Sequence, residues 1–159
     1  MSVEKMYPYW TKQPKVLTAV IQERAALTKE FVRLFLDTAP DRLYLIGSGS
    51  SFNAAKAAAP FMEEILGIEA GAFTPTRLPG IFSKKPLVVF LSQGGSSTNM
   101  LAAADTLAHK PSIAVTGERE CELAKHVKKH MLIGCGEELA GPVPFPVSWT
   151  VKMKKKQKE

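Results

Sequence analysis

The amino-acid sequence predicts an α/β domain: a five-stranded parallel sheet with helices on both faces. Three observations carry this. Short apolar runs with strand character alternate with segments of helical periodicity, and the connections between them are short. Two of the apolar runs lead directly into Gly/Ser turns and then into helix-favouring segments rich in alanine. At 159 residues the chain is the size of one domain and long enough to bury a substantial core.

Residues 6–14 are aromatic and proline-marked, which suits an arm packed on this or a neighbouring subunit. From Lys15 onward Leu17, Val20, Ile21, Leu27, Phe31, Leu34 and Phe35 recur at three- and four-residue steps. They predict one long amphipathic helix that ends before Pro40. A strand at 42–46 comes next, then a helix over 51–66. Pro60 should kink or split that helix, because proline lacks the backbone donor and clashes with the preceding turn. The pattern continues with a strand at 69–73 and a loop over 74–85, where Arg77 and Lys84 read as solvated surface charge. Strands at 86–92, 111–117 and 131–134 alternate with helices at 98–108 and 120–129. The layout expected is an arm and long helix over 1–40, a binding domain over 41–142 and a Pro/Lys-rich tail over 143–159.

The chemistry concentrates in Ile46-Gly47-Ser48-Gly49-Ser50-Ser51 and Leu91-Ser92-Gln93-Gly94-Gly95-Ser96-Ser97-Thr98. Glycine lets backbone turn sharply and approach a bound group, and the first N–H groups of the following helix lack intrahelical partners. Serine hydroxyls add donors, the helix dipole favours negative charge, and neither turn holds an acid. Such turns suit a phosphate. Both leave carboxyl ends of strands, where open sheets bind ligands, so the two can serve one ligand. Gly-Ser turns also join strands to helices without binding anything; two of them in one parallel sheet favour binding. The candidate ligand residues are Ser48, Gly49, Ser50, Ser51, Ser92, Gln93, Gly94, Ser97 and Thr98.

Other classes fail on particular residues. Phe52 stands where a dinucleotide fingerprint needs its third glycine, and no Gly-Lys-Ser/Thr follows either turn. No cofactor is expected. Cys121 and Cys135 have neither metal-ligand nor redox spacing and read as reduced thiols. His109, His126 and His130 form no triad with the serines, and the last two should face solvent rather than a metal. Most of the net charge of +6 sits in the tail: without the last eight residues, 16 basic residues face 14 acidic ones, a net of +2, so no nucleic-acid partner is expected. No apolar run approaches the roughly 18 residues of a membrane span, and the start lacks the apolar core of a signal peptide. These features predict a cytoplasmic protein without a membrane partner.

The two serine turns, together with Gly136-Glu137-Glu138-Leu139-Ala140-Gly141-Pro142, resemble the three signature segments of the sugar isomerase (SIS) domain. The resemblance covers about residues 14–142, and Gln13-Pro14-Lys15-Val16-Leu17 resembles the start of double-SIS proteins. It implies a flavodoxin-like or Rossmann-like three-layer sandwich that binds a sugar phosphate or amino-sugar phosphate. By position, Ser51, Ser92 and Ser97 would contact the phosphate, with Ser50 and Gln93 beside the sugar or phosphate. Ser48 occupies a position held by cysteine or a small residue in many relatives, and Gly94 replaces a serine, which removes one hydroxyl. Pro144 and Pro146 stand where relatives continue into a helix, so the expectation is a truncated N-terminal half of an isomerase or deglycase. A non-catalytic phosphosugar sensor is the alternative. No catalytic residue is assigned; Glu138 reads as a loop residue, with a sugar-hydroxyl contact or base as its other role. The apolar stripe of residues 17–35 predicts a homodimer.

Overall fold

The computed structural model describes residues 3–133. Its elements are α1 (Val3–Leu27), α2 (Lys29–Thr38), β1 (Arg42–Gly47), α3 (Ser50–Leu66), β2 (Glu69–Phe73), β3 (Pro86–Ser92), α4 (Thr98–Thr106), β4 (Ser112–Thr116), α5 (Glu122–His126) and β5 (Lys129–Leu132). The strands form one parallel five-stranded sheet in the order β2-β1-β3-β4-β5. This is the expected fold class, in the flavodoxin-like strand order.

Residues of each central strand alternate between two apolar layers, as the period of a strand requires. Leu43, Leu45, Leu87, Val89, Leu91, Ile113 and Val115 face Val20 of α1, Phe31 and Leu34 of α2, and Ala55, Ala59 and Met62 of α3. Tyr44, Ile46, Val88, Phe90 and Ala114 face Met100, Ala103 and Ala104 of α4 and Leu123 of α5. Parallel strands covered on both faces read as nearly unbroken apolar runs, which is why they were legible.

Several local expectations need correction. Residues 6–14 form no separate arm; they are part of α1. The single long helix is two, divided at Thr28, whose Oγ1 and N–H both donate to the Arg24 carbonyl, at 2.8 and 2.9 Å. Such a back-bond slightly destabilises a helix, though Thr18 makes the same bond within unbroken α1. Beyond it, Phe31 and Leu34 are buried. The apolar stripe is therefore largely consumed within the molecule's own core, leaving Ile21 and Leu36 exposed. Helix α2 ends at Ala39, in left-handed conformation (φ 42°), ahead of Pro40.

Pro60 does not split α3, which runs unbroken through it. Ala55, Ala59 and Met62 on either side of Pro60 are buried, and this packing outweighs one lost backbone bond. Helix α5 is only five residues long because Val127 is already extended (φ −122°, ψ 158°), and β5 accordingly starts at Lys129. No helix among the described residues is long and apolar enough to cross a membrane.

Candidate anion site at the carboxyl ends of β1 and β3

The chain leaves β1 for β2 on one side and returns to β3 on the other, so strand order reverses between β1 and β3. Gly47 pairs with Leu91 and Ser92 with Thr116, which brings both serine turns to one rim of the sheet, on neighbouring strands. Crevices at such reversals are where open α/β sheets hold ligands.

The first turn is set by backbone crowding. A Cβ on Gly47 would lie 2.7 Å from the Ser51 carbonyl carbon and 2.8 Å from the Phe52 nitrogen, so only glycine lets α3 start this close to β1. Gly49 caps α3 with φ 55° and ψ −124°, a conformation reserved for glycine. The Ser51 and Asn53 N–H groups donate to the Ser48 and Gly49 carbonyls, both at 3.1 Å. Ser48, Gly49 and Ser50 are exposed, and Ser51 is buried against the sheet.

The second turn is held by side chains. Ser92 Oγ accepts the Gly95 N–H at 3.1 Å. A hydroxyl has one donor and two acceptor lone pairs, so this bond leaves the Ser92 O–H available to donate outward. Gly95 has φ 60°, and a Cβ there would meet Cys121 Sγ at 2.6 Å; its carbonyl accepts the Leu123 N–H at 2.9 Å. Ser97 has the extended geometry of an N-cap, and its carbonyl accepts the Met100 and Leu101 N–H groups at 2.9 and 3.0 Å. Its side chain makes no capping bond. Gly94, Ser97 and Thr98 are exposed, while Ser92 and Gln93 are half-buried. Neither α3 nor α4 has an acid in its first turn, so both positive helix ends are unopposed there.

The segment after β4 backs the second turn, and the sequence reading missed it. The Gly117 N–H donates to the Gln93 carbonyl at 2.9 Å, extending the β3–β4 ladder by one bond. Thr116 Oγ1 donates to the Glu118 carbonyl at 2.7 Å, and its single proton is thereby used. His130 Nε2, 2.7 Å from the same oxygen, must then be the donor to it, and Cys121 Sγ donates to it at 3.9 Å. Burial holds the His130 imidazole below its ordinary pKa, and repulsion from Arg119 adds to this. The only signals for this support were a glycine just past a strand and a threonine at its end.

The expected solvent-facing histidines are both engaged. His126 Nδ1 pairs with Asp105 at 2.5 Å and His130 with Thr116, and the helical spacing between them is lost because β5 begins at Lys129. Arg77 and Lys84 are exposed. Lys84 lies at the opposite rim from the serines, since the backbone of its neighbour Lys85 pairs with Asp41, just before β1. Glu137, Glu138 and Cys135 lie outside the described residues, as does the lysine-rich tail.

No protein-family model matches the chain. It is 31% identical over 157 residues to the glutamine–fructose-6-phosphate aminotransferase (isomerizing) of Streptococcus pneumoniae R6, a match covering 84% of this chain and 25% of that protein. The chain thus spans about a quarter of the length of such relatives. In structure it resembles the C-terminal domain of glucosamine-fructose-6-phosphate aminotransferase from Francisella tularensis, with TM-score 0.76 and 15% identity over 91% of this chain and 44% of that one. It also resembles the Vibrio vulnificus NanR protein complexed with ManNAc-6P, with TM-score 0.65 and 18% identity over 87% of this chain and 55% of that one.

Proposed function

Because the chain belongs to the sugar isomerase (SIS) domain family, we propose that its two serine turns bind the phosphate of a sugar phosphate or amino-sugar phosphate. The observation that carries this is the placement of both turns at the carboxyl ends of neighbouring β1 and β3, with two helices that hold no acid in their first turns. Ser51, Ser92 and Ser97 are the phosphate contacts in this reading. Ser48, Gly49, Ser50, Gln93, Gly94 and Thr98 line the ligand, with Gly94 acting through its backbone. The names of the relatives, a fructose-6-phosphate aminotransferase and a protein complexed with ManNAc-6P, support this ligand class.

Binding is better supported than turnover. Moving a proton between adjacent sugar carbons needs a positioned base, and neither turn carries an Asp, Glu or His. The domain therefore works as the phosphate-holding part of an isomerase or deglycase whose base lies outside these two turns, or as a phosphosugar sensor. Cytoplasmic location and a homodimeric state remain part of this proposal.

The test is a thermal-shift titration with fructose 6-phosphate, glucosamine 6-phosphate and fructoselysine 6-phosphate, with product formation followed in parallel. Ser51→Ala and Ser92→Ala should each weaken binding by about 1–2 kcal/mol, or roughly 5- to 30-fold, through a lost hydrogen bond to a charged group. Stabilisation without product favours the sensor, and product favours the enzyme. Wild-type affinity in both serine variants removes the site.

A further inference from the structure

Gly117 has a feature that neither backbone conformation nor the close approach of another main chain explains. Its φ lies outside the left-handed range, and the atoms that a Cβ would strike all belong to one side-chain amide. An added Cβ would lie 2.0 Å from Gln93 Nε2, 2.5 Å from its Cδ and 2.6 Å from its Oε1. Gln93 is thus laid flat on the bare Cα of Gly117, while its own carbonyl accepts the Gly117 N–H at 2.9 Å. At Gly47, by contrast, the obstructing atoms are backbone.

We infer that Gly117 is a positioning residue for ligand recognition: it is the slot that fixes the direction of the Gln93 amide at the rim of the anion site. This rests on the phosphosugar reading above. A glutamine side chain has several rotatable bonds, and holding it in one rotamer before the ligand arrives removes an ordering cost that binding would otherwise carry. Gly117 does this without touching the ligand. The cost of losing the slot falls first on the Gln93 amide, because all the atoms a methyl group would strike belong to the end of that flexible side chain.

The experiment measures affinity for fructose 6-phosphate and melting temperature on the full chain for wild type, Gly117→Ala, Gln93→Ala, the double variant and Ser92→Ala. Gly117→Ala should bind about two- to tenfold more weakly, with an unchanged or slightly raised melting temperature. Gln93→Ala should bind about tenfold more weakly, and adding Gly117→Ala to it should cost nothing further.

The inference is overturned if Gly117→Ala binds like wild type or more tightly while Ser92→Ala and Gln93→Ala are impaired; the phosphosugar reading then stands. It is also overturned if the two substitutions are additive, or if Gly117→Ala lowers the melting temperature as much as a core deletion does. Wild-type affinity in all variants, or no binding by the wild type, removes the phosphosugar reading and this inference with it.

Discussion

Gly47→Ala tests whether the first turn is set by backbone contact. The new methyl group would sit 2.7 Å from the Ser51 carbonyl carbon, 2.8 Å from the Ser51 oxygen and 2.8 Å from the Phe52 nitrogen. Ordinary contacts begin near 3.4 Å, so the first turn of α3 has to retreat by about 0.7 Å. No side chain can yield in its place, and α3 carries the buried Ser51, Ala55, Ala59 and Met62 with it. Overpacking of this kind costs about 1–3 kcal/mol. For a chain of this size each kcal/mol lowers the melting temperature by roughly 2–4 °C, which gives a loss of about 2–12 °C. Affinity for fructose 6-phosphate should fall as well, since Ser51 moves with the helix. Thermal unfolding and ligand titration of the purified variant measure both. A melting temperature equal to wild type would show that α3 does not press on β1 at this point, and the account of the turn would fail.

Two further outcomes follow from the packing and from His130. Phe31→Ala should destabilise the chain by about 3–5 kcal/mol in chemical denaturation, because Phe31 is 1% exposed and anchors α2 in the layer shared with α3; a loss below about 1 kcal/mol would place α2 outside the core. His130 has a folded pKa below its ordinary value of about 6.5, so the unfolded chain takes up the proton first as pH falls. Stability should therefore be unaffected by this group above about pH 7 and should decline from about pH 6.5 down through the lowered folded pKa. His130→Gln should flatten that part of the profile, and parallel profiles for variant and wild type would contradict the assignment.

The sheet was legible because its signals are local. Buried parallel strands are continuous apolar runs, and β2 and β3 begin and end where the sequence places them. The helices were less so. Nothing in the periodicity from Leu17 to Phe35 marks a break at Thr28, and a threonine alone does not signal one: Thr18 makes the same bond to the preceding turn and α1 runs on through it. Pro60 is a strong breaker by itself, yet the packing of Ala55, Ala59 and Met62 keeps α3 whole. The two turns were visible as residue types, and their common rim followed from the rule that ligands gather at carboxyl ends. The strand order that makes them neighbours is a long-range fact, as is the support from Gly117, Thr116 and Cys121.

That support makes the two turns unlike each other. The first turn is fixed by main-chain atoms: Gly47 against the start of α3, and Gly49 in a conformation that other residues do not share. Its hydroxyls can change while the bend survives, because the contacts that set the bend among the described residues are main-chain ones. The second turn depends on Ser92 Oγ for the Gly95 N–H, on the Cys121 side chain beneath Gly95 and on the bare face of Gly117 beneath Gln93. Substitution there alters shape and chemistry together. Ser92 is the extreme case, since one oxygen closes the bend and its proton stays available for a ligand under the proposed function. Ser92→Ala should therefore loosen the Gly94–Gly95 backbone as well as weaken binding, whereas Ser50→Ala should change only the contact it makes.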